Sequence, residues 1–468
     1  MNIERLLFYD NIRNDEIVKT AVSLFHRAKS FFDWKKNFAD DENEKDESVF
    51  DSMINDYYHV QRELLKKCID CEAGGTFWQS YIYKLTSESE NAFSLSAEKA
   101  FSRSDEKNSP YNSAFKFNEN IISLAEGDIH EIRALIDYDW DFVRKLLDPD
   151  RTCVCMLDAG ISENERGKDL REALASFASP ALDAASDGTP GVSEASRVSD
   201  AEAVLKLRNY YSRHLCGILG KYKAFVWDSQ NGLTGVREHD KITFDDLIGY
   251  DIQQQQLIRN TEMFVDGYGA NNVLLYGDKG TGKSSSVKAL LNYFEGRNLR
   301  MISIPKSEIL SITKVMDKVA NRGCHVIIFI DDLSFENTEI EYKHFKSVLE
   351  GGVEVQPANV VVYVTSNRRN LVKETWSDRN KQSGEIFEQD GIQERQSLAD
   401  RFGLSITFYA PDKQLYIDMV RMLAKKEGID ISDELLLAEA SKWDMRHTGR
   451  SGRLAKQFIT HIKGLTKS

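Results

Sequence analysis

NNVLLYGDKGTGKSSSVKALL, residues 271–291, is the stretch on which the fold of this chain turns. An apolar run, NVLLY, stops at a glycine-rich turn, and a helix-like pattern, SSSVKALLNYF, follows. Gly277-Asp278-Lys279-Gly280-Thr281-Gly282-Lys283-Ser284 satisfies G-x-x-x-x-G-K-[ST] at every fixed position. Between a strand and a helix, this pattern makes a phosphate cradle: the glycines let the backbone wrap with its N–H groups inward, and the helix N-terminus adds positive dipole. Lys283 is expected to bridge the β- and γ-phosphates and the Ser284 hydroxyl to ligate Mg²⁺, with Ser285 next in the cradle. The cradle alone implies a bound nucleoside triphosphate.

Two further segments have the right chemistry to complete such a site. In CHVIIFIDDLSFE, an apolar strand ends in Asp331-Asp332. Paired carboxylates suit a ligand edge at a strand's C-terminal end better than a core. Asp331 is expected to hold Mg²⁺ through water and Asp332 to polarise an attacking water, with Glu336 the weaker candidate for that role. In NVVVYVTSNRRN, a strand ends in Thr365-Ser366-Asn367, and the Asn367 amide can orient the same water.

Outward from these motifs, five short apolar runs alternate with helical stretches: NVLLY, LRMISI, HVIIFI, NVVVYVT and LSITFY. That pattern predicts an α/β domain with a five-stranded parallel sheet covered by helices on both faces. Residues 411–468 read as helices only and make a C-terminal helical lid on a core of residues 240–410. Residues 1–172 read as a mostly helical N-terminal domain, because NDEIVKTAVSLFHRAKSFFDWKKNF, SVFDSMINDYYHVQRELLKKCI and HEIRALIDYDWDFVRKLL all carry apolar residues at three- and four-residue spacing. The acidic run from Asp40 to Glu47 reads as a solvated loop. Residues 173–201 are rich in Ala, Ser, Gly and Pro and read as a flexible linker. Residues 202–239 follow as a connecting helix, a short strand in KAFVW and a turn in SQNGLTG.

Composition narrows the function classes. The net charge is -13. Residues 241–468 are balanced, with 31 Lys+Arg against 31 Asp+Glu, so the whole acidic excess lies in residues 1–240. An acidic N-terminal half is a poor non-specific grip on nucleic acid. With no apolar run of transmembrane length and an N-terminus lacking a signal-peptide core, a cytoplasmic protein without a membrane partner is expected. The six cysteines do not make a disulfide scaffold. The Cys68/Cys71 and Cys153/Cys155 pairs stand far apart in sequence with no nearby His, and are read as ordinary thiols.

From residue 241 onward, about half the chain, the order of motifs resembles the AAA+ ATPase superfamily: GDKGTGKS as Walker A, IIFIDD as Walker B, Asn367 as sensor 1. The resemblance implies a P-loop AAA+ core, ATP and Mg²⁺ as cofactors, and a homo-oligomer when ATP is bound. FDDLIGYDIQQQQLI is similar to the segment preceding the cradle in that superfamily, where Ile248 and Gly249 would line the adenine. SLADRFGL is similar to the arginine-finger segment and puts Arg401 forward; GRSGRLAKQF is similar to the sensor 2 helix and puts Arg453 forward, with Arg450 as a rival. More narrowly, NNVLLYGDKGTGKSS, DDLSFE, TSNRRNL and GRSGR resemble a bacterial group of AAA+ ATPases of unassigned function. One departure stands out: Walker B usually ends Asp-Glu, and here it ends Asp331-Asp332, which points to slow or switch-like hydrolysis.

Three uses of such a site are compatible with the sequence: ATP-driven conformational change on a protein partner, a DNA-associated loader or motor, or a nucleotide-gated binding module with little turnover. The neutral ATPase half and the lack of a basic stripe favour the first. The second strand is followed by SIPKSEILSI, without the aromatic-glycine loop used to thread polypeptides.

Overall fold

The structure is a computed structural model that describes residues 2–37, 44–101, 119–161, 163–174, 199–335, 340–350, 355–368, 401–447 and 449–465. They fall into two compact units, one up to Lys221 and one from Tyr222 onward.

The N-terminal unit is helical. Its main helices are α1 (Glu16–Asn37), α2 (Glu44–Lys67), α3 (Phe77–Glu88), α4 (Ala92–Phe101), α5 (Glu119–Ile136), α6 (Trp140–Leu147), α7 (Glu165–Leu174) and α8 (Asp200–His214). Trp78 is buried among Tyr138 and Trp140, with ring centroids 5.9 Å and 5.3 Å away, and its indole N–H donates to the Leu135 carbonyl. Helix α8 packs on α4, α5 and α7. Within the stretch 202–239, α8 belongs to the N-terminal unit, and the chain beyond Lys221 joins the sheet. HEIRALIDYDWDFVRKLL is two helices, because the Asp139 carboxylate accepts the Phe142 N–H at 3.0 Å and caps a new start. Helix α2 reaches back to Glu44, so the later part of the acidic run is helical; residues 40–43 of that run, and residues 175–198 of the expected linker, lie outside the described residues. Cys68, Cys71, Cys153 and Cys155 are buried in this core.

The C-terminal unit holds a seven-stranded sheet: β1 (Ala224–Asp228), β2 (Gly232–Val236), β3 (Val273–Gly277), β4 (Leu299–Ser303), β5 (His325–Ile330), β6 (Val360–Ser366) and β7 (Leu404–Phe408), in the order β2-β1-β4-β5-β6-β3-β7. The five expected strands, β4-β5-β6-β3-β7 in sheet order, all run parallel. The sheet is wider than the expected five strands because β1 pairs with β4 in parallel and turns back into antiparallel β2. SQNGLTG is thus a turn only at its start; Gly232 at φ 72 reverses the chain, and GLTGV becomes the edge strand. Strands β5 and β6 are buried almost throughout, as strands covered on both faces must be.

Helices α9 (Asp251–Val265), α10 (Lys283–Tyr293), α11 (Ile312–Val319) and α12 (Ile340–Glu350) belong with this sheet, and α13 (Lys413–Lys426), α14 (Asp433–Arg446) and α15 (Gly452–Leu465) form the C-terminal helical segment. The start of β3 is pinned by polar side chains. Asn260 exchanges hydrogen bonds with the Asn271 backbone at 3.0 and 3.1 Å, and the Asn272 side chain accepts the Val362 N–H at 2.8 Å. Beneath them, the buried Tyr363 hydroxyl meets Thr261 and Asn260. Among the described residues, no helix is long and apolar enough to cross a membrane.

Candidate functional site

Strand order decides what meets at the sheet's C-terminal edge. Strand β6 lies between β5 and β3, so the ends of these three strands bring Asp331-Asp332, Thr365–Asn367 and the cradle side by side. This is the crevice in which open parallel sheets bind ligands.

The cradle follows β3 without slack. Gly277 has φ 133, and a Cβ there would sit 1.9 Å from the Phe408 carbonyl oxygen, so only glycine lets β3 leave the sheet against β7. Asp278 fastens the exit: its N–H donates to the Phe408 carbonyl at 2.9 Å, and its carboxylate accepts the Ala410 N–H at 2.7 Å. Gly282, in the left-handed region, precedes the first turn of α10. Lys283 is buried, and its ammonium donates to the Gly277 and Asp278 carbonyls at 2.9 and 2.6 Å and to Asn367 Oδ1 at 3.3 Å. Burial pushes the Lys283 ammonium below its usual range, opposed by the nearby carboxylates of Asp278, Asp332 and Asp331.

On the other side of Asn367, its amide N–H donates to Asp332 Oδ1, so one side chain ties the cradle lysine to the second carboxylate. Asp332 has φ 50, a left-handed conformation uncommon for non-glycine residues, though one that aspartate enters more readily than most. Ser284 Oγ donates to Asp331 Oδ1. A hydroxyl and a carboxylate held together present hard oxygen donors at the foot of the cradle, a set that suits Mg²⁺.

A cleft of about 960 Å³ opens over these groups. Lys279 to Ser285, Asp331, Asp332 and Thr365 to Asn367 line one end of it. Its remaining walls include Leu247, Ile248 and Tyr250 on one side, and Met419, Trp443, Arg453 and Gln457 from the C-terminal helices on the other. Helix α15 touches the cradle directly: the Arg453 N–H donates to the Gly280 carbonyl at 3.3 Å, and a Cβ at Gly280 would meet Ser451 at 2.9 Å.

Ile248, Lys279, Gly280, Thr281, Gly282, Lys283, Ser284, Ser285, Asp331, Asp332, Asn367 and Arg453 thus come together around one cleft. Gly277 and Asp278 brace the loop without lining it, and Gly249 packs against Leu415 of α13. The two rival arginines separate: Arg453 lines the cleft, whereas Arg450 Nε donates to Asp444 at 2.9 Å. Arg401 is not among the lining residues; it is half-exposed and pairs with Glu350 at 3.1 Å, at the end of α12. Glu336 lies outside the described residues. Sequence reasoning passed over Asn260, Asn271 and Asn272, and gave Thr365 no separate role. A hydroxyl at the end of an otherwise aliphatic strand was the available signal for Thr365.

The chain was compared with known proteins by sequence and by fold. A 26S proteasome regulatory subunit 6B homolog from Encephalitozoon cuniculi (strain GB-M1) is 26% identical over 189 residues, covering 34% of this chain and 48% of that protein. The chain thus spans about half the length of the curated relative it matches. Among solved structures, the Thermotoga maritima RuvB Holliday junction branch migration motor aligns at 15% identity and TM-score 0.33, covering 48% of this chain and 64% of that one. The FIGL-1 AAA domain in complex with ADP aligns at 19% identity and TM-score 0.33, covering 48% and 73%. The profile of a family described as "Protein of unknown function (DUF815)" matches residues 220–466, more than half of the chain and all of the sheet with its cleft. The chain belongs to the DUF815 family.

Proposed function

We propose that this protein binds ATP with Mg²⁺ in the cleft at the ends of β3, β5 and β6, hydrolyses it, and uses the cycle to change its conformation on a protein partner. The observation that carries the reading is the unbroken chain of side chains from Lys283 through Asn367 to Asp332, with Arg453 over the cradle from α15.

In this reading the buried Lys283 ammonium exchanges the Gly277 and Asp278 carbonyls for phosphate oxygens, and the inward N–H groups of residues 279–285 take the rest of the charge. Ser284 and Asp331 hold Mg²⁺, which when bound neutralises charge on the phosphates. Asp332, fixed by Asn367, accepts the proton of the attacking water. Its side chain is one methylene shorter than the usual Glu, so turnover is slow. Ile248 and Gly249 border the base, and Arg453 reports nucleotide state to the C-terminal helices. Arg401 acts on the γ-phosphate of a neighbouring subunit, which makes hydrolysis depend on assembly into a homo-oligomer. The acidic N-terminal unit recognises the partner, and the protein works in the cytoplasm.

Phosphate release by the parent chain and by Asp332→Asn tests this reading. The parent is expected to turn ATP over slowly, and Asp332→Asn to lose about 10²-fold or more in kcat while still binding ATP, so that it retains the partner in a pull-down. Equal turnover by the two proteins contradicts the role given to Asp332. Stimulation of turnover by DNA with steep salt dependence moves the partner from protein to nucleic acid.

A further inference from the structure

The end of β6 does more than present Asn367. Thr365 and Ser366, its last two residues, and Asn367 just beyond it each fasten one part of the segment that follows β5. Asn367 holds the Asp332 carboxylate, and Ser366 Oγ donates to the Leu333 carbonyl at 2.8 Å. Thr365 makes three contacts. Its Oγ1 donates to Asp331 Oδ1 at 2.6 Å and accepts the Asp332 N–H at 2.9 Å, and its carbonyl accepts the Leu333 N–H at 2.8 Å.

Thr365 is 1% exposed, so its hydroxyl has no water to exchange for these partners. One hydroxyl, one donor and one acceptor contact, thus satisfies two neighbouring groups at once: the carboxylate that faces Ser284 and the amide of the residue held at φ 50. Its backbone is fixed as firmly, since it lies in β6 in register with Leu275 of β3. A buried hydroxyl on a rigid strand that aims a metal-facing carboxylate is a supporting partner of the kind that sets metal affinity.

We infer that Thr365 is a positioning residue for the site: its hydroxyl aims Asp331 toward the cation beside Ser284, and through the Asp332 amide it maintains the left-handed backbone that turns Asp332 toward Asn367. This rests on the Mg²⁺–nucleotide reading of the cleft. It also gives the site's two acidic residues one shared support, beside Ser284 for Asp331 and Asn367 for Asp332.

The variants are Thr365→Val, which keeps the shape and removes the hydroxyl, and Thr365→Ser, which keeps the hydroxyl and removes the methyl. The measurement is binding of a fluorescent ATP analogue to the full chain, titrated with Mg²⁺ and repeated in EDTA. Thr365→Val is expected to need about 10-fold more Mg²⁺ for half-maximal effect, with its affinity in EDTA unchanged and its kcat lowered more than its KM. Thr365→Ser is expected to stay within about twofold of the parent, since only the hydroxyl matters. If Thr365→Val unfolds, Thr365→Ala is read in its place. Parental Mg²⁺ dependence in the variant that lacks the hydroxyl, or an equal defect in Thr365→Ser, overturns the inference. A parent chain that binds the analogue without any Mg²⁺ effect overturns instead the reading on which it rests.

Discussion

In the N-terminal unit the buried Asp128 carboxylate is taken up by the backbone amides of Leu7 and Phe8, at 2.9 and 2.7 Å, and burial pushes its pKa upward. In the C-terminal unit Asp331 and Asp332 are also hydrogen-bonded, yet both line an open cleft beside an ammonium. Both units spend polar groups on order, but to different ends. Asp128 ties the chain's first residues to α5 and makes a fold. The acids after β5 are supported by β6 and left facing the cleft. A hydrogen-bonded acid therefore marks a candidate site when its supports leave it facing a cavity, as Asp331 and Asp332 do and the buried Asp128 does not.

Substitutions should separate the two units in the same way. Trp78→Ala removes the centre of the aromatic cluster with Tyr138 and Trp140 and should cost about 3–5 kcal/mol of stability. Chemical denaturation should show the loss in the N-terminal unit, while ATP-analogue binding persists; loss of binding in a chain whose C-terminal unit stays folded would show that the units are not independent. Arg401→Ala should leave ATP binding intact and reduce turnover by about 10³-fold. Full turnover by the parent at dilutions where only monomer exists would instead make Arg401 a surface partner of Glu350.

His325 gives the smallest effect. At the start of β5 it packs edge-on against Phe264, and burial lowers its pKa from the ordinary 6.5 to about 4. Because the folded-state value is the lower one, the unfolded chain takes up the proton first. Stability of the C-terminal unit is held above pH 6.5 and lost as pH falls toward 4. Melting temperatures across that window should fall less steeply for His325→Gln than for the parent, and parallel slopes would remove His325 as the cause.

Much of this was legible in the sequence. All five parallel strands sit where the apolar runs placed them, because strands buried on both faces leave a continuous aliphatic signature. The cradle was legible because its glycines are demanded by backbone geometry, as Gly277 against Phe408 illustrates. The β1–β2 hairpin was only half legible, since GLTGV carries two glycines in five residues and reads as a turn until β4 is seen to hold β1. That Arg453 and not Arg450 lines the cleft was visible only in the fold, because spacing gives both the same claim and Asp444 pairs with Arg450. Thr365 was hidden for a related reason: in a run of valines, threonine is an ordinary β-branched strand residue, and its role depends on which strand lies alongside.

The most direct test of the ATP site is calorimetric binding of ATP with Mg²⁺ to the full chain and to Lys283→Ala. The parent should bind one ATP per chain, and Lys283→Ala should weaken binding by about 10²-fold, the loss expected for a buried charge-assisted contact to phosphate. Equal affinities in the two folded proteins would contradict a phosphate cradle at residues 277–284.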